Sequence, residues 1–303
     1  MTGKPFTTIS IIGAGTMGAQ IALLCAKHGY QVWLFSRSQH TLVQATSRHS
    51  QELESLLQAG QISPQEQSRI PERIQLSTDL QETVARADLV IENVPEVLEL
   101  KRELFARLDA LCPPHTILAT DSSSINITEI EDVTQRREKV LNLHFVSPVW
   151  DDSLVELMRG TATTDETIAS VRKFARSISL VPFVLLKESS GFLLGRVWRS
   201  LRQASLRVVD EGVATPEDVD RAWMISTKMP IGPFGLMDMV GMDVLRDVDM
   251  SHYNKSGNPA DAPARIVQDK IERGELGIKT GKGFYTYPKP AFQSPDWLKG
   301  NED

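Results

Sequence analysis

The strongest constraint on this chain is Gly13-Ala14-Gly15-Thr16-Met17-Gly18, lying between the β-branched run Thr8-Ile9-Ser10-Ile11-Ile12 and a helix-patterned stretch. Met17, Ile21, Leu24, Cys25 and His28 share one helical face, and Gly29 supplies a stop. A second strand reads over 31–35. In such a unit the first glycine makes a tight turn, the second lets the backbone approach a pyrophosphate, and the third allows close helix–strand packing. The helix N-terminus adds free N–H groups and the positive end of its dipole. A glycine-rich turn without a ligand is the bland alternative, and the position of the motif at the opening of a βαβ unit argues against it. The loop residues Gly13, Ala14, Gly15, Thr16, Met17 and Gly18 are therefore expected to cradle a dinucleotide.

The second strand ends differently from the usual pattern. An acidic residue there holds a ribose 2′-hydroxyl in NAD-binding chains, whereas this chain reads Phe35-Ser36-Arg37-Ser38. No carboxylate repels a 2′-phosphate, and a guanidinium flanked by hydroxyls can bind one. Ser36 and Arg37 thus favour NADP(H) over NAD(H), against the alternative that Arg37 is a solvated loop residue.

The alternation continues. Helices read over 42–60 and 97–111, strands over 89–91, 117–119 and 140–143, and Ser63-Pro64-Gln65-Glu66 has the form of a capped helix start. This calls for an α/β fold, a doubly wound, mostly parallel sheet of Rossmann type. Beyond about 188 the pattern is helical, over 191–211, 216–225, 234–248 and 263–273. The expected organisation is a dinucleotide-binding domain, 1–187, followed by an all-helical substrate and dimerisation domain, 188–303, with a frayed tail from Pro288.

Composition excludes several classes. The 303 residues carry 33 basic and 39 acidic side chains, a net charge of -6, which argues against nucleic acid as a partner. Cys25 and Cys112 are the only cysteines, so a disulfide scaffold is excluded and a reducing compartment fits. No signal-peptide layout opens the chain, and no apolar run approaches the ~18 residues of a membrane span. A cytoplasmic globular protein without a metal site is expected.

Further motifs give the chain its resemblance. Asp88-Leu89-Val90-Ile91-Glu92 runs on to Pro95-Glu96; Thr120-Asp121-Ser122-Ser123-Ser124-Ile125, Leu143-His144-Phe145 with Pro148, and Leu154-Val155-Glu156 follow. The helical half shows Gly191-Phe192, Pro230-Ile231-Gly232-Pro233-Phe234 and Gly281-Lys282-Gly283-Phe284-Tyr285. In this order they resemble the L-3-hydroxyacyl-CoA dehydrogenase family as far as Tyr287. The resemblance implies a homodimer active in fatty acid metabolism, with reversible hydride transfer between C3 of a 3-hydroxyacyl chain and a nicotinamide. His144 matches the family's catalytic histidine, Glu156 its carboxylate partner and Ser123 the serine that hydrogen-bonds the reacting oxygen. Imidazole suits a base that titrates near working pH. Glu96, Lys101 and Lys279 match positions contacting the nicotinamide half, although Lys101 also reads as a solvated helix charge.

Three departures qualify the resemblance. Gly195 stands where the family has an Asn that helps hold the substrate carbonyl, and loss of such a donor costs on the order of a hundredfold in rate. The family's Asn after the histidine is Ser147, followed by Trp150-Asp151-Asp152. Relatives also carry lysines where this chain has 42–60, and here no lysine stands between Lys27 and Lys101. That leaves little attraction for the phosphates of CoA. A small non-CoA 3-hydroxy acid is the alternative substrate, and a non-catalytic dinucleotide-binding homologue the alternative class.

Overall fold

The computed structural model describes residues 3–294 and 296–300. Two compact units divide the chain, Met1–Leu193 and Leu194–Asp303, so the division falls somewhat beyond the expected 187/188 boundary.

In the first unit, strands and helices alternate in the order β1 (Thr8–Ile12), α1 (Thr16–Lys27), β2 (Gln31–Phe35), α2 (Gln39–Gln58), α3 (Pro64–Glu72), β3 (Ile74–Ser77), α4 (Leu80–Val84), β4 (Leu89–Glu92), α5 (Leu98–Leu111) and β5 (Ile117–Thr120). Then come β6 (Val140–Phe145), β7 (Leu154–Arg159), α6 (Asp165–Ser177) and β8 (Val181–Val184). The strands form one sheet in the order β3-β2-β1-β4-β5-β6-β7-β8. All pairings are parallel except β6 with β7. Helices cover both faces over two separate apolar clusters, as a parallel sheet of nearly continuous Ile, Leu and Val requires. Because the parallel strands share a direction, the segments following β1, β2, β4 and β5 gather at one edge, where doubly wound sheets bind ligands.

Local signals account for many boundaries. The Ser63 hydroxyl accepts the Glu66 N–H at 3.2 Å while the Glu66 carboxylate accepts the Ser63 N–H at 2.8 Å, a full capping box on α3. Elements without a sequence expectation are β3, α4, β7, α6 and β8. Of the strands among them β3 and β8 have four residues each, and β8 contains Pro182, which an outermost strand tolerates because one side of its ladder is unpaired.

The second unit holds α7 (Leu194–Asp210), α8 (Pro216–Thr227), α9 (Pro233–Val240), α10 (Met242–Ser256) and α11 (Arg265–Glu272). The expected single helix over 234–248 is two, broken at Gly241, whose φ of +98° no helix accommodates. Isolated bridges Gly277↔Lys282 and Lys282↔Thr286 add extended structure to a unit expected to be purely helical. The tail is also corrected: Phe292 and Trp297 are buried in the apolar cluster of this unit, because two aromatic rings bury enough surface to hold a segment otherwise rich in proline.

Two buried carboxylates organise this unit. Asp220 accepts the N–H groups of Phe234 and Gly235 at 2.8 and 2.9 Å and the Tyr285 hydroxyl at 2.9 Å. Asp238 accepts the N–H groups of Phe284 and Tyr285 at 2.7 and 2.8 Å and the Tyr287 hydroxyl at 3.1 Å. A Cβ on Gly232 would lie 2.4 Å from Cγ of Asp220, and one on Gly283 would lie 1.9 Å from Oδ1 of Asp238. The two motifs around these glycines are carboxylate clasps.

Candidate active site

The dinucleotide loop follows β1. Gly13 has φ +117° and a Cβ there would meet the Asn93 carbonyl at 2.5 Å, while one on Gly18 would meet the Gly13 carbonyl oxygen at 1.9 Å. Around Gly15 a Cβ would meet nothing within 4 Å, so this glycine leaves open the space a diphosphate needs. Gly15 caps α1 without a side-chain hydrogen bond, and the first turn of the helix carries no acid. Its leading N–H groups are thus available to an anion.

The cleft in front of this loop has a volume of about 1060 Å³ and is lined by Gly13, Ala14, Gly15, Ser36, Arg37 and Asn93, among others. Its size suits a dinucleotide. Ser36 is buried and its hydroxyl accepts the Ser38 N–H at 3.3 Å, whereas Arg37 is exposed on the cleft wall. Among the described residues no group of three or more His, Cys, Asp or Glu side chains is arranged to hold a metal, and no helix is long and apolar enough to cross a membrane.

A second polar cluster joins the segments after β4 and β5. Glu96 accepts the hydroxyls of Ser122 and Ser124 at 2.5 and 2.7 Å and the Ser124 N–H at 2.9 Å, gripping the residues on either side of Ser123. Burial works against its charge, but the Ser122 hydroxyl, the Lys101 ammonium and the Ser124 groups outweigh it and hold the carboxyl below the usual range. Lys101 is no solvated helix charge. It is buried, with its ammonium 2.7 and 2.9 Å from the two carboxylate oxygens of Glu92 and 3.4 Å from Glu96. Asp121 accepts the Phe145 N–H at 2.7 Å and the Asn93 amide at 2.6 Å; desolvation pushes its carboxyl well above the usual range.

His144 lies near the end of β6, and antiparallel register sets it directly opposite Glu156 on β7. Directly opposed residues bring their Cβ atoms to about 5 Å, close enough for side chains to meet. The twelve-residue spacing is therefore a consequence of the turn between β6 and β7. Nδ1 of His144 stands 2.9 Å from Oε2 of the buried Glu156, and Nε2 stands 3.2 Å from Oγ of Ser123. In the tautomer that donates from Nδ1 to the carboxylate, Nε2 carries the lone pair and accepts. Oε1 of Glu156 accepts the Leu193 N–H at 2.9 Å. The imidazole is stacked on Phe192, with ring centroids 4.3 Å apart at 23°.

Ser123, His144 and Glu156 are thus brought together, as are the glycine loop with Ser36 and Arg37, and Glu96 with Lys101. Lys279 belongs to the other unit, where its ammonium pairs with Asp243, and Gly195 lies in α7 with open space where a Cβ would project. Asp151 of the divergent Trp150-Asp151-Asp152 stretch pairs with Lys27 at 2.7 Å and His28 at 2.9 Å, fastening the end of α1. In α2, His49 is buried against the Ala19 carbonyl at 2.8 Å, and desolvation lowers its proton affinity, so Arg48 remains the one strong cation of that helix. Sequence reasoning assigned no role to Phe192, Asn93 or Asp121, although the Gly191-Phe192 and Thr120-Asp121 motifs contain two of them.

A doubly wound sheet with this cradle defines a nicotinamide dinucleotide-dependent oxidoreductase. Residues 8–189 match the family model "3-hydroxyacyl-CoA dehydrogenase, NAD binding domain" and residues 191–287 the model for the C-terminal domain of the same family. The chain belongs to the 3-hydroxyacyl-CoA dehydrogenase family. It is 34% identical over 279 residues to a probable 3-hydroxybutyryl-CoA dehydrogenase of Bacillus subtilis, covering 92% of this chain and 96% of that one. Among solved structures it resembles the (S)-3-hydroxybutyryl-CoA dehydrogenase of Ralstonia eutropha, with TM-score 0.84, 32% identity and coverage of 94% and 100% of the two chains. A diketoreductase acting on dicarbonyl compounds matches with TM-score 0.86 and 35% identity, over 95% of this chain and 100% of that one.

Proposed function

We propose that the protein interconverts a 3-hydroxyacyl-CoA and its 3-oxoacyl-CoA, with NADP(H) preferred over NAD(H). A bound nicotinamide supplies the hydride acceptor or donor. The chain's own part is proton transfer: Nε2 of His144 takes the C3 hydroxyl proton, the Glu156 carboxylate orients the ring and stabilises the imidazolium, and Ser123 hydrogen-bonds the reacting oxygen. The observation that carries this reading is the His144–Glu156 pair, aligned by strand register with Nε2 turned to Ser123. Glu96 is assigned to the nicotinamide half, where Lys101 acts through it, and Lys279 keeps the cofactor role that the family resemblance implies.

The cofactor preference rests on Ser36 and Arg37. No carboxylate stands at the end of β2, and Ser36, Arg37 and Ser38 line the cleft there. We further propose a cytoplasmic homodimer. The two cysteines are free, and the helical unit exposes Val197, Met239 and Val244, apolar surface of the kind that pairs subunits.

A small non-CoA 3-hydroxy acid is the second reading, favoured by the scarcity of cations on α2 and by the similarity to the diketoreductase. Incubation of acetoacetyl-CoA with NADPH carrying deuterium at both C4 positions tests the main reading. Deuterium at C3 of 3-hydroxybutyryl-CoA is expected, and its absence would overturn the assignment. Tight competitive inhibition by free CoA would remove the second reading.

A further inference from the structure

We infer that Phe192 is a positioning residue for the reaction, its ring face stabilising the imidazolium that His144 becomes on accepting the hydroxyl proton. The inference rests on the proposed role of His144 and names a residue that acts through it.

Phe192 has φ +54°, a left-handed conformation that side chains bearing a Cβ rarely adopt. It follows Gly191 at φ +78°, and its N–H is held by the Ser189 carbonyl at 3.0 Å. Such backbone persists where the surroundings enforce it, and it concentrates at functional sites. Phe192 is 1% exposed, yet it belongs to none of the three apolar clusters among the described residues. Its aromatic contact is the imidazole, face to face at 4.3 Å.

The same turn serves the pair twice. One residue on, the Leu193 N–H donates to Oε1 of Glu156, whose other oxygen holds Nδ1 of His144. The turn therefore fixes the carboxylate through the backbone and the ring plane through the side chain. An aromatic face carries the negative end of its quadrupole, so it attracts a cation stacked on it. The attraction grows as the imidazole gains its proton, which is when a base needs stabilisation. Ring stacking also leaves the imidazole free to present Nε2 at its edge, toward Ser123.

Replacing Phe192 with phenylalanines bearing one, two and three ring fluorines keeps shape while draining the π face. With 3-hydroxybutyryl-CoA and NADP+, kcat is expected to fall stepwise by about tenfold across the series, with KM and the thermal midpoint unchanged. Phe192→Trp should retain most of the activity, while Phe192→Leu loses it by a similar factor. As a readout independent of turnover, the His144 ring protons should resonate upfield in the wild type and return toward ordinary shifts in Phe192→Leu. A flat fluorine series in an active enzyme would overturn the inference alone. A wild type without turnover on any 3-hydroxyacyl-CoA or 3-hydroxy acid would overturn the reading beneath it, and the inference with it.

Discussion

Both units bury carboxylates, and they use them in opposite ways. Glu156 in the sheet unit hands one oxygen to an imidazole whose far nitrogen faces outward to Ser123. Asp220 and Asp238 in the helical unit spend theirs on backbone N–H groups and tyrosine hydroxyls, none of which titrates near neutrality. A buried, perturbed acid is thus no marker of chemistry by itself. What separates the two is the partner: one carboxylate meets a titratable imidazole, the others pin segments of chain. The motifs of the helical half, conspicuous as they are in sequence, are glycines making room for those pins.

The largest expected effect breaks the sheet side of this contrast. His144→Ala should lower kcat by at least about a thousandfold, within the span attributed to a positioned base, and leave the dissociation constant of NADPH unchanged. Single-turnover kinetics and fluorescence titration check the two halves of that statement. Substantial residual turnover would remove His144 from the base role.

The helical side predicts a stability effect. Burial lifts the Asp220 carboxyl to about 6, above its value in an unfolded chain, against the pull of the Phe234, Gly235 and Tyr285 donors. The folded state then holds a proton that the unfolded state has released. Its contribution is fully present below pH ~4 and is lost as pH rises through about 6, a loss of about 3 kcal/mol. Denaturant melts of wild type and Asp220→Asn between pH 4 and 7 should show the wild type losing that much relative to the variant. A pH-independent difference would show that Asp220 stays ionised.

A smaller effect sharpens the cofactor argument. Ser36→Asp should turn the ratio of kcat/KM for NADPH over NADH by about a hundredfold toward NADH, since a carboxylate there pairs with a ribose hydroxyl and repels a phosphate. An unchanged ratio would mean that Arg37 serves no phosphate. The smallest effect concerns Gly195. Open space beyond its Cβ position admits a side chain, and Gly195→Asn should raise acetoacetyl-CoA reduction by about tenfold through the restored amide. No gain would indicate that the substrate carbonyl is held elsewhere.

The sheet unit was legible in the sequence where period and punctuation agreed. The strand–glycine–helix opening, the capping box at Ser63 and the strands at 89–91 and 117–119 all carry local signals. What was missed depends on distant pairing. Strands β3 and β8 are too short to show a period, and they exist because neighbours in the sheet take up their hydrogen bonds. The helix expected over 234–248 ignored a Gly241 whose φ is set by the turn into α10, and the tail expected to fray is held by Phe292 and Trp297. The site divides likewise. His144, Glu156 and Ser123 came from motif resemblance, and only the antiparallel register of β6 with β7 explains the spacing of His144 and Glu156. Lys101 read as a contact or a solvated charge and is a buried partner of Glu92, because no local pattern reveals a carboxylate on the adjacent strand.

The most direct test of the account is the initial rate of acetoacetyl-CoA reduction by the wild-type protein, measured in parallel with NADPH and NADH. Clear turnover, faster with NADPH, is the expected result. Binding of both cofactors without turnover with either would contradict it.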